Sequence, residues 1–403
     1  MIKCNSSFSL IACGILMMTS IAMGCQSKQS KKSTHEGTKV ELKYAEHIQM
    51  QKYPLFTVVT LANPWDEGKV LHTYVLVNRK DSARVNHLPK GTLVYTPIER
   101  SVVFSTAHCK LLQSLGALDA IAGVADLKYI LIPAIQHRVT TGKIVDCGDG
   151  MSPNIERMIA LHPQALLLSP FENSGGYGKL EGLGCPVIEL ADYMETSPLG
   201  RAEWMKFYGM LFGCEQRADS LFAVVDSAYQ QLKSQAQSWP EGASLLTERQ
   251  TGSVWYCPGG KSTIGQMIAD AHGKYAFSSD KHSGSLALSF EEVLEKAGNS
   301  EVWAFKYHGE HPMTKQDLLA EYRGYRVLRA YKQGKIYGCN SRIKPYFEET
   351  PFRPDFLLRD IIIMLHQPHA SCLDKIDYYH SICAIGYLLR NDCCPIGWLF
   401  ENH

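Results

Sequence analysis

Trp255 and Tyr256 stand side by side just before the turn Pro258-Gly259-Gly260. An adjacent aromatic pair at a strand end offers flat faces on which a large ligand can stack. The residues that follow, Gly260-Lys261-Ser262-Thr263, imitate the end of a phosphate-binding loop. Such a loop needs a glycine five positions before its second glycine, and Trp255 occupies that place, so nucleotide binding is excluded. Gly175-Gly176-Tyr177-Gly178 fails the dinucleotide spacing and reads as a loop. Among the 15 histidines, His308 and His311 lie close together, but no His-Glu-x-x-His metal motif occurs. No Gly-x-Ser-x-Gly nucleophile elbow is present either.

The balance of 41 basic and 40 acidic residues, net +1, leaves no electrostatic footprint for nucleic acid. Hydrophobic residues at 45% and charged residues at 20% describe a globular chain. The 403 residues suffice for two domains or one two-lobed one. Thirteen cysteines lack paired C-x-x-C spacing, which argues against a zinc ribbon. Lys3 and the apolar run from Phe8 to Met23 read as a signal peptide, the run being short of the roughly 20 residues that cross a bilayer. Ala22-Met23-Gly24-Cys25 is similar to a bacterial lipobox, with Ala22 where Leu is usual. Residues 1–24 are therefore expected to be removed, Cys25 to carry lipid, and 25–50 to form the anchored linker. The mature chain is expected outside the cytoplasm, in the cell envelope on the periplasmic side, held to a membrane by its lipid. Cys109, Cys185 and Cys214 sit inside apolar patterns and read as small buried hydrophobes.

The elements that would position the aromatic pair follow from periodicity. Leu55–Leu61 and Thr73–Val77 read as strands, with a hairpin-like piece near Gly91–Tyr95, giving a β extension over 51–98. From 99 the chain alternates strand and helix: strands at 102–104, 120–124, 165–168 and 186–190, helices at 108–115 and 155–161. That rhythm predicts an α/β fold with parallel sheets. Between Gly200 and Gln235 one apolar stripe at 3–4 spacing predicts a long helix bent near Gly213. Asn154-Ile155-Glu156 and Ser289-Phe290-Glu291 each open a helix with a good N-cap, an apolar residue and a first-turn glutamate, and each helix precedes a strand. Ser289 with Glu292 forms a capping box that leaves Glu291 facing outward. Two like units around a long helix predict two lobes of like fold: 99–200, a bridge over 201–237, and 243–366, with 367–403 unassigned.

Residues from about 99 to 366 resemble the substrate-binding proteins of ABC importers for iron chelates, haem and vitamin B12. The matching stretches are Ser101-Val102-Val103-Phe104-Ser105 to Leu115-Gly116-Ala117, Ile121-Ala122-Gly123-Val124, Pro153-Asn154-Ile155-Glu156, His162-Pro163-Gln164-Ala165 and Gly184-Cys185-Pro186-Val187. In the second half they are Gly259-Gly260-Lys261-Ser262, Leu288-Ser289-Phe290-Glu291, Gln333-Gly334-Lys335-Ile336-Tyr337 and Arg353-Pro354-Asp355. Order and spacing together carry the resemblance. The chain departs from it at His272-Gly273, where relatives often have two glycines, and beyond Leu365.

The resemblance implies two α/β lobes joined by one rigid helix, with the ligand between them and little closure on binding. It implies a lipid-anchored, monomeric receptor that is not an enzyme, uses no cofactor, and delivers an iron-siderophore, haem or cobalamin to an ABC permease and its ATPase. Glu156 and Glu291 would dock the two lobes on permease arginines. Ligand groups would come from loops at the carboxyl ends of strands: His108, Phe171, Tyr177, Trp255, Tyr256 and Lys261, then Ser285, Lys306, Tyr307, Arg342 and Tyr346. The cations Lys261, Lys306 and Arg342 lean toward an anionic chelate, and the aromatic pair suits a corrin equally. The alternatives are a receptor for bare zinc or manganese, with His108 as one ligand, and a two-lobed enzyme.

Overall fold

A computed structural model of the chain describes residues 37–172, 176–373 and 376–382. The signal peptide and Cys25 lie outside the described residues.

Two parallel sheets organise the chain. In the first, strands run in the order Val187–Glu189, Ala165–Leu168, Ser101–Val103, Ile121–Val124, Val145–Asp146, all parallel. These strands are continuous apolar runs because helices cover both faces. Alternation sends Val102, Leu166 and Leu168 into one core and Val103, Ala165 and Leu167 into the other. The second sheet runs Lys274–Tyr275, Ser244–Thr247, Val302–Tyr307, Ile336–Asn340 in parallel, with His380–Ser381 added antiparallel at the edge. The chain is thus a two-lobed α/β protein, here called N-lobe and C-lobe.

The predicted single bent helix is in fact three. Pro198–Glu203 and Met205–Phe212 precede the bridge Glu215–Gln237. The break falls at Gly213, whose φ of +68° is left-handed backbone that interrupts the helix. The remaining 23-residue helix spans about 35 Å.

The segment expected to be linker is ordered from Gly37. Thr38–Lys39 and Ile48–Lys52 join Phe56–Ala62, Val70–Asn78 and Thr92–Thr96 in one five-stranded sheet. Its last strand pairs in parallel with Val70–Asn78 and not as a hairpin. Ile48, Met50, Val59, Leu61 and Tyr74 of this extension share one continuous core with both lobes. Between its first two strands the chain crosses the bridge region as a strap. The buried Glu203 carboxylate accepts the backbone N–H groups of Lys43, Tyr44 and Ala45 at 2.9, 2.7 and 3.1 Å. The buried Glu195 carboxylate accepts those of Glu46 and His47 at 3.1 and 2.9 Å.

The tail also departs from expectation, because part of it folds onto the C-lobe. His380–Ser381 is an edge strand, and the buried Asp360 carboxylate accepts the N–H groups of Asp377 and Tyr378, each at 2.8 Å. At His272 the left-handed conformation persists without glycine, with φ +53°, while Gly273 packs against Leu365 where a Cβ would meet Cδ1 at 2.3 Å.

Candidate functional site

Two cavities open where the parallel strands of each lobe end, the place where loops and helix starts converge in such folds. The N-lobe cavity, about 600 Å³, lies beyond Ser101–Val103, Ile121–Val124 and Ala165–Leu168. Its wall is largely apolar, with Phe104, Met151, Ile155, Leu168, Phe171 and Leu180, and polar groups enter from Asp126, Ser152, Ser169 and Lys179. Met151 and Phe171 are 84% and 52% exposed, so apolar surface faces solvent at this rim. Large side chains left exposed around a concavity mark a contact surface.

The C-lobe cavity, about 350 Å³, carries more polar groups, beside Pro258 and Ile264. Glu248, Arg249, Thr251, Tyr256, Ser262, Thr263, Ser283, Ser285 and Lys306 line it. Glu248 follows Ser244–Thr247 with φ +60°, a left-handed position that costs a non-glycine residue about 1 kcal/mol. That turn brings its carboxylate onto the Lys306 ammonium. Burial works against the charge on Lys306, but the Tyr346 oxygen and the Glu248 carboxylate overcome it and hold the ammonium protonated. Burial pushes the Tyr346 phenol up to about 12.

Of the expected ligand residues, Phe171 and Tyr177 come together in the N-lobe cavity, and Tyr256, Ser285 and Lys306 in the C-lobe cavity. Four others are core residues. Trp255 is fully buried among Phe290, Trp303 and Tyr325, and its indole N–H donates to the Thr247 carbonyl at 2.9 Å. Strand alternation explains this: if Tyr256 faces the cavity, Trp255 must face inward. His108 is buried with Nε2 3.0 Å from Asp192 Oδ1, and Arg201 Nε donates to Asp192 Oδ2 at 3.0 Å. Burial pushes the Asp192 carboxyl up, but His108 and Arg201 prevail and hold it below the usual range. His108 therefore ties the first helix to the segment before the bridge and is not a surface ligand. Tyr307 is buried, and its hydroxyl lies 3.1 Å from His380 Nε2. Tyr346 is buried beneath Lys306, with the ammonium 5.4 Å from its ring centre. Lys261 and Arg342 are exposed and line neither cavity; Arg342 pairs with Glu310 at 3.5 Å.

Residues the sequence reading missed include Phe104, Met151, Glu248 and Arg249. The glycines at 148 and 150 signal the turn that presents Met151. Nothing local signals that Glu248 would adopt positive φ, because its partner Lys306 is 58 residues away. The paired Gly259-Gly260 has a packing role: a Cβ at either would come within 2.3–2.5 Å of the His282 and Asp280 carbonyl oxygens.

Glu156 and Glu291 are both exposed in the first turns of helices Ile155–Ala160 and Phe290–Ala297. Asn154 caps the first, accepting from the Arg157 N–H at 2.9 Å. Ser289 and Glu292 form the capping box of the second. Across the seam between lobes, Lys110 pairs with Glu349 at 3.1 Å and Leu131 N–H donates to Glu348 at 3.1 Å. Among the described residues, no three His, Cys, Asp or Glu side chains are placed to hold a metal ion.

Residues 102–343 match the sequence profile of the periplasmic binding proteins. The chain is 24% identical over 396 residues to an uncharacterized lipoprotein of Methanocaldococcus jannaschii, covering 89% of this chain and 92% of that one. Among solved structures, a protein of the ABC-type Fe3+-hydroxamate transport system of Saccharomonospora viridis superposes with a TM-score of 0.52 at 19% identity, covering 66% of this chain and 93% of that one. IsdE of S. aureus, solved in complex with heme, gives 0.53 at 18% identity over 66% and 99%.

Proposed function

The chain belongs to the periplasmic binding protein family, a family of binding proteins and not of enzymes, and from that premise we propose that it is the lipid-anchored receptor of an ABC importer, capturing a metal chelate between its lobes and delivering it to a permease. The observation that carries this reading is the pair of cavities at the carboxyl ends of the two parallel sheets, one largely apolar and one richer in polar groups. A chelate presents both kinds of surface, a flat or greasy ligand frame and polar groups at its edge.

The charge pattern bears on which chelate. Lys306 is neutralised by Glu248, Arg249 by Glu321 at 2.5 Å, and Arg342 is drawn to Glu310. Of the three cations that suggested an anionic siderophore or haem, Lys306 and Arg342 are thus already matched, and Lys261 lines neither cavity. The large apolar wall around Met151 and Phe171 favours a chelate with an extended apolar face, so haem or a corrin is the first expectation and a hydrophilic siderophore the second. Cys25 as the anchor, monomeric state, and Glu156 and Glu291 as docking carboxylates belong to the same proposal.

The test is saturable quenching of tryptophan fluorescence in the protein from Gly37 onward, titrated with cyanocobalamin, haem and a panel of ferric siderophores, with zinc and manganese as controls. Micromolar or tighter binding of one chelate supports the reading and names the cargo. A response to the bare ions alone would replace it with a metal-ion receptor.

A further inference from the structure

The β extension lies before the part of the chain that matches the family profile, which begins at residue 102, yet it reaches the wall of the N-lobe cavity. His72, on strand Val70–Asn78, places Nδ1 2.7 Å from Glu189 Oε2. The Tyr177 hydroxyl donates to the other oxygen, Oε1, at 2.6 Å. Nε2 of His72 lies 2.8 Å from Thr92 Oγ1 on the neighbouring strand of the extension. Tyr74 adds a second tie, donating to the Val187 carbonyl at 3.0 Å and accepting from the Glu189 N–H at 2.8 Å, with its ring stacked on His72 at 4.2 Å. Glu189 is only 7% exposed, so these bonds form in a poorly solvated place, where they are firmer than on an open surface.

Tyr177 is the partition. It lines the 600 Å³ N-lobe cavity on one side, and on the other a 420 Å³ cavity bounded by Leu71, His72 and Thr92 of the extension together with Glu189. Its own N–H donates to Glu181 at 2.7 Å, which fixes the start of the short helical turn Gly178–Leu183. A tyrosine held at both hydroxyl and backbone sets the width of the cavity it borders. Without the hydroxyl bond the loop keeps its internal bonds, from the Tyr177 N–H to Glu181 and from the Leu180 N–H to the Tyr177 carbonyl at 3.1 Å.

We propose that the extension positions the outer wall of the N-lobe cavity, by holding the Tyr177 hydroxyl through Glu189 and His72, and so acts as a selectivity device for the chelate. The selectivity half rests on the cleft reading above; the positioning half does not. Tyr177 is then the wall residue, and His72 and Glu189 are positioning residues.

Amide hydrogen exchange on the intact, ligand-free protein tests the positioning directly. Losing one charge-assisted bond should speed exchange in residues 176–183 by roughly tenfold in Tyr177→Phe and in His72→Ala. Exchange in strand Phe56–Ala62 should stay unchanged, and His72→Gln, which keeps a donor, should restore part of the protection. Unchanged exchange at 176–183, or an equal rise throughout the extension, overturns the proposal. The second arm uses haem and cyanocobalamin as probes. Tyr177→Phe and His72→Ala should shift the ratio of the two affinities in the same direction, and the double variant should add nothing further. Independent, additive shifts would break the link between extension and selectivity. A protein that binds neither probe nor any ferric siderophore sinks the cleft reading and the selectivity with it, while the exchange result still decides the positioning.

Discussion

Trp255 and Tyr256 are neighbours on one strand that face opposite environments: Trp255 is buried against Trp303 at a ring distance of 5.9 Å, and Tyr256 is 48% exposed at the C-lobe cavity. The two should therefore respond oppositely to truncation. Trp255→Ala should lower stability by about 3–5 kcal/mol, as large buried aromatics do. Tyr256→Ala should leave the unfolding free energy within about 0.5 kcal/mol of the parent and weaken chelate binding by about 1 kcal/mol. Urea unfolding and a fluorescence titration on the same two variants separate the effects. A Tyr256 variant that unfolds early yet binds normally would reverse the assignment.

The Glu248–Lys306 pair offers a handle on charge selectivity. Glu248→Gln leaves the Lys306 ammonium without its counter-charge at the cavity wall, and should raise affinity for haem, whose propionates are anionic. Lys306→Met should lower it. Because removing one member of a pair strands the other, Glu248→Gln should also cost about 1–3 kcal/mol of stability. The check is a haem titration at two salt concentrations. The gain in affinity should shrink as salt rises, since screening acts on an unpaired surface-facing charge.

How much of this could be read without coordinates depends on how local each cause is. Ala165-Leu166-Leu167-Leu168 is a continuous apolar run that predicts a buried parallel strand, and such a strand forms over the same residues. The break at Gly213 was legible as a bend because glycine is the residue that takes positive φ there. The ordered strap was not legible, since Lys43 to Ala45 are held by Glu203, about 160 positions later. Glu195 and Glu203 look like ordinary surface glutamates until the chain folds back onto them. The same holds at the cavities. Aromatic and cationic residue types marked the right neighbourhoods, but alternation along a strand decided that Trp255 would turn inward. A distant carboxylate decided that Lys306 would be paired.

The strap gives a pH dependence with a defined sign. Burial pushes the Glu195 carboxyl up, but His47, the Trp204 indole and the backbone N–H groups prevail and hold it below the usual range. A depressed carboxyl stabilises the fold above its unfolded value and loses that contribution as pH falls through the folded one. His47 moves the other way: the Glu195 carboxylate, 3.4 Å from its Nδ1, raises it against the effect of burial. A raised imidazole stabilises below its unfolded value and loses the contribution as pH rises through the folded one. The strap should therefore hold best between about pH 4.3 and 6.5, the ordinary values of the two groups. Protection of the amides of residues 43–47, taken as exchange relative to the unfolded-chain rate at each pH, should be greatest in that window. Glu195→Gln should flatten both limbs, and a profile with unaltered limbs would place the pH response elsewhere.

Glu156 and Glu291 lie at equivalent points of two separate lobes, each exposed in the first turn of a capped helix. In both helices a different side chain does the capping, Asn154 in one and the Ser289–Glu292 box in the other. Neither carboxylate is therefore occupied in finishing its helix, and both remain available to arginines of a partner, where charge-assisted bonds fix orientation as well as distance. Replacing either by Ala should change stability by less than about 1 kcal/mol, the usual size of a helix-dipole contribution. Chelate affinity should not move, because neither residue lines a cavity. Uptake in cells should fall in each single variant and collapse in the double one, since a receptor held at one lobe only is misaligned over its permease. Arginine in place of both should be worse than alanine, adding repulsion to the lost contact. Uptake that survives the double Arg variant would move the docking surface away from these helices, while lost affinity in the isolated protein would mean that the two glutamates serve the fold.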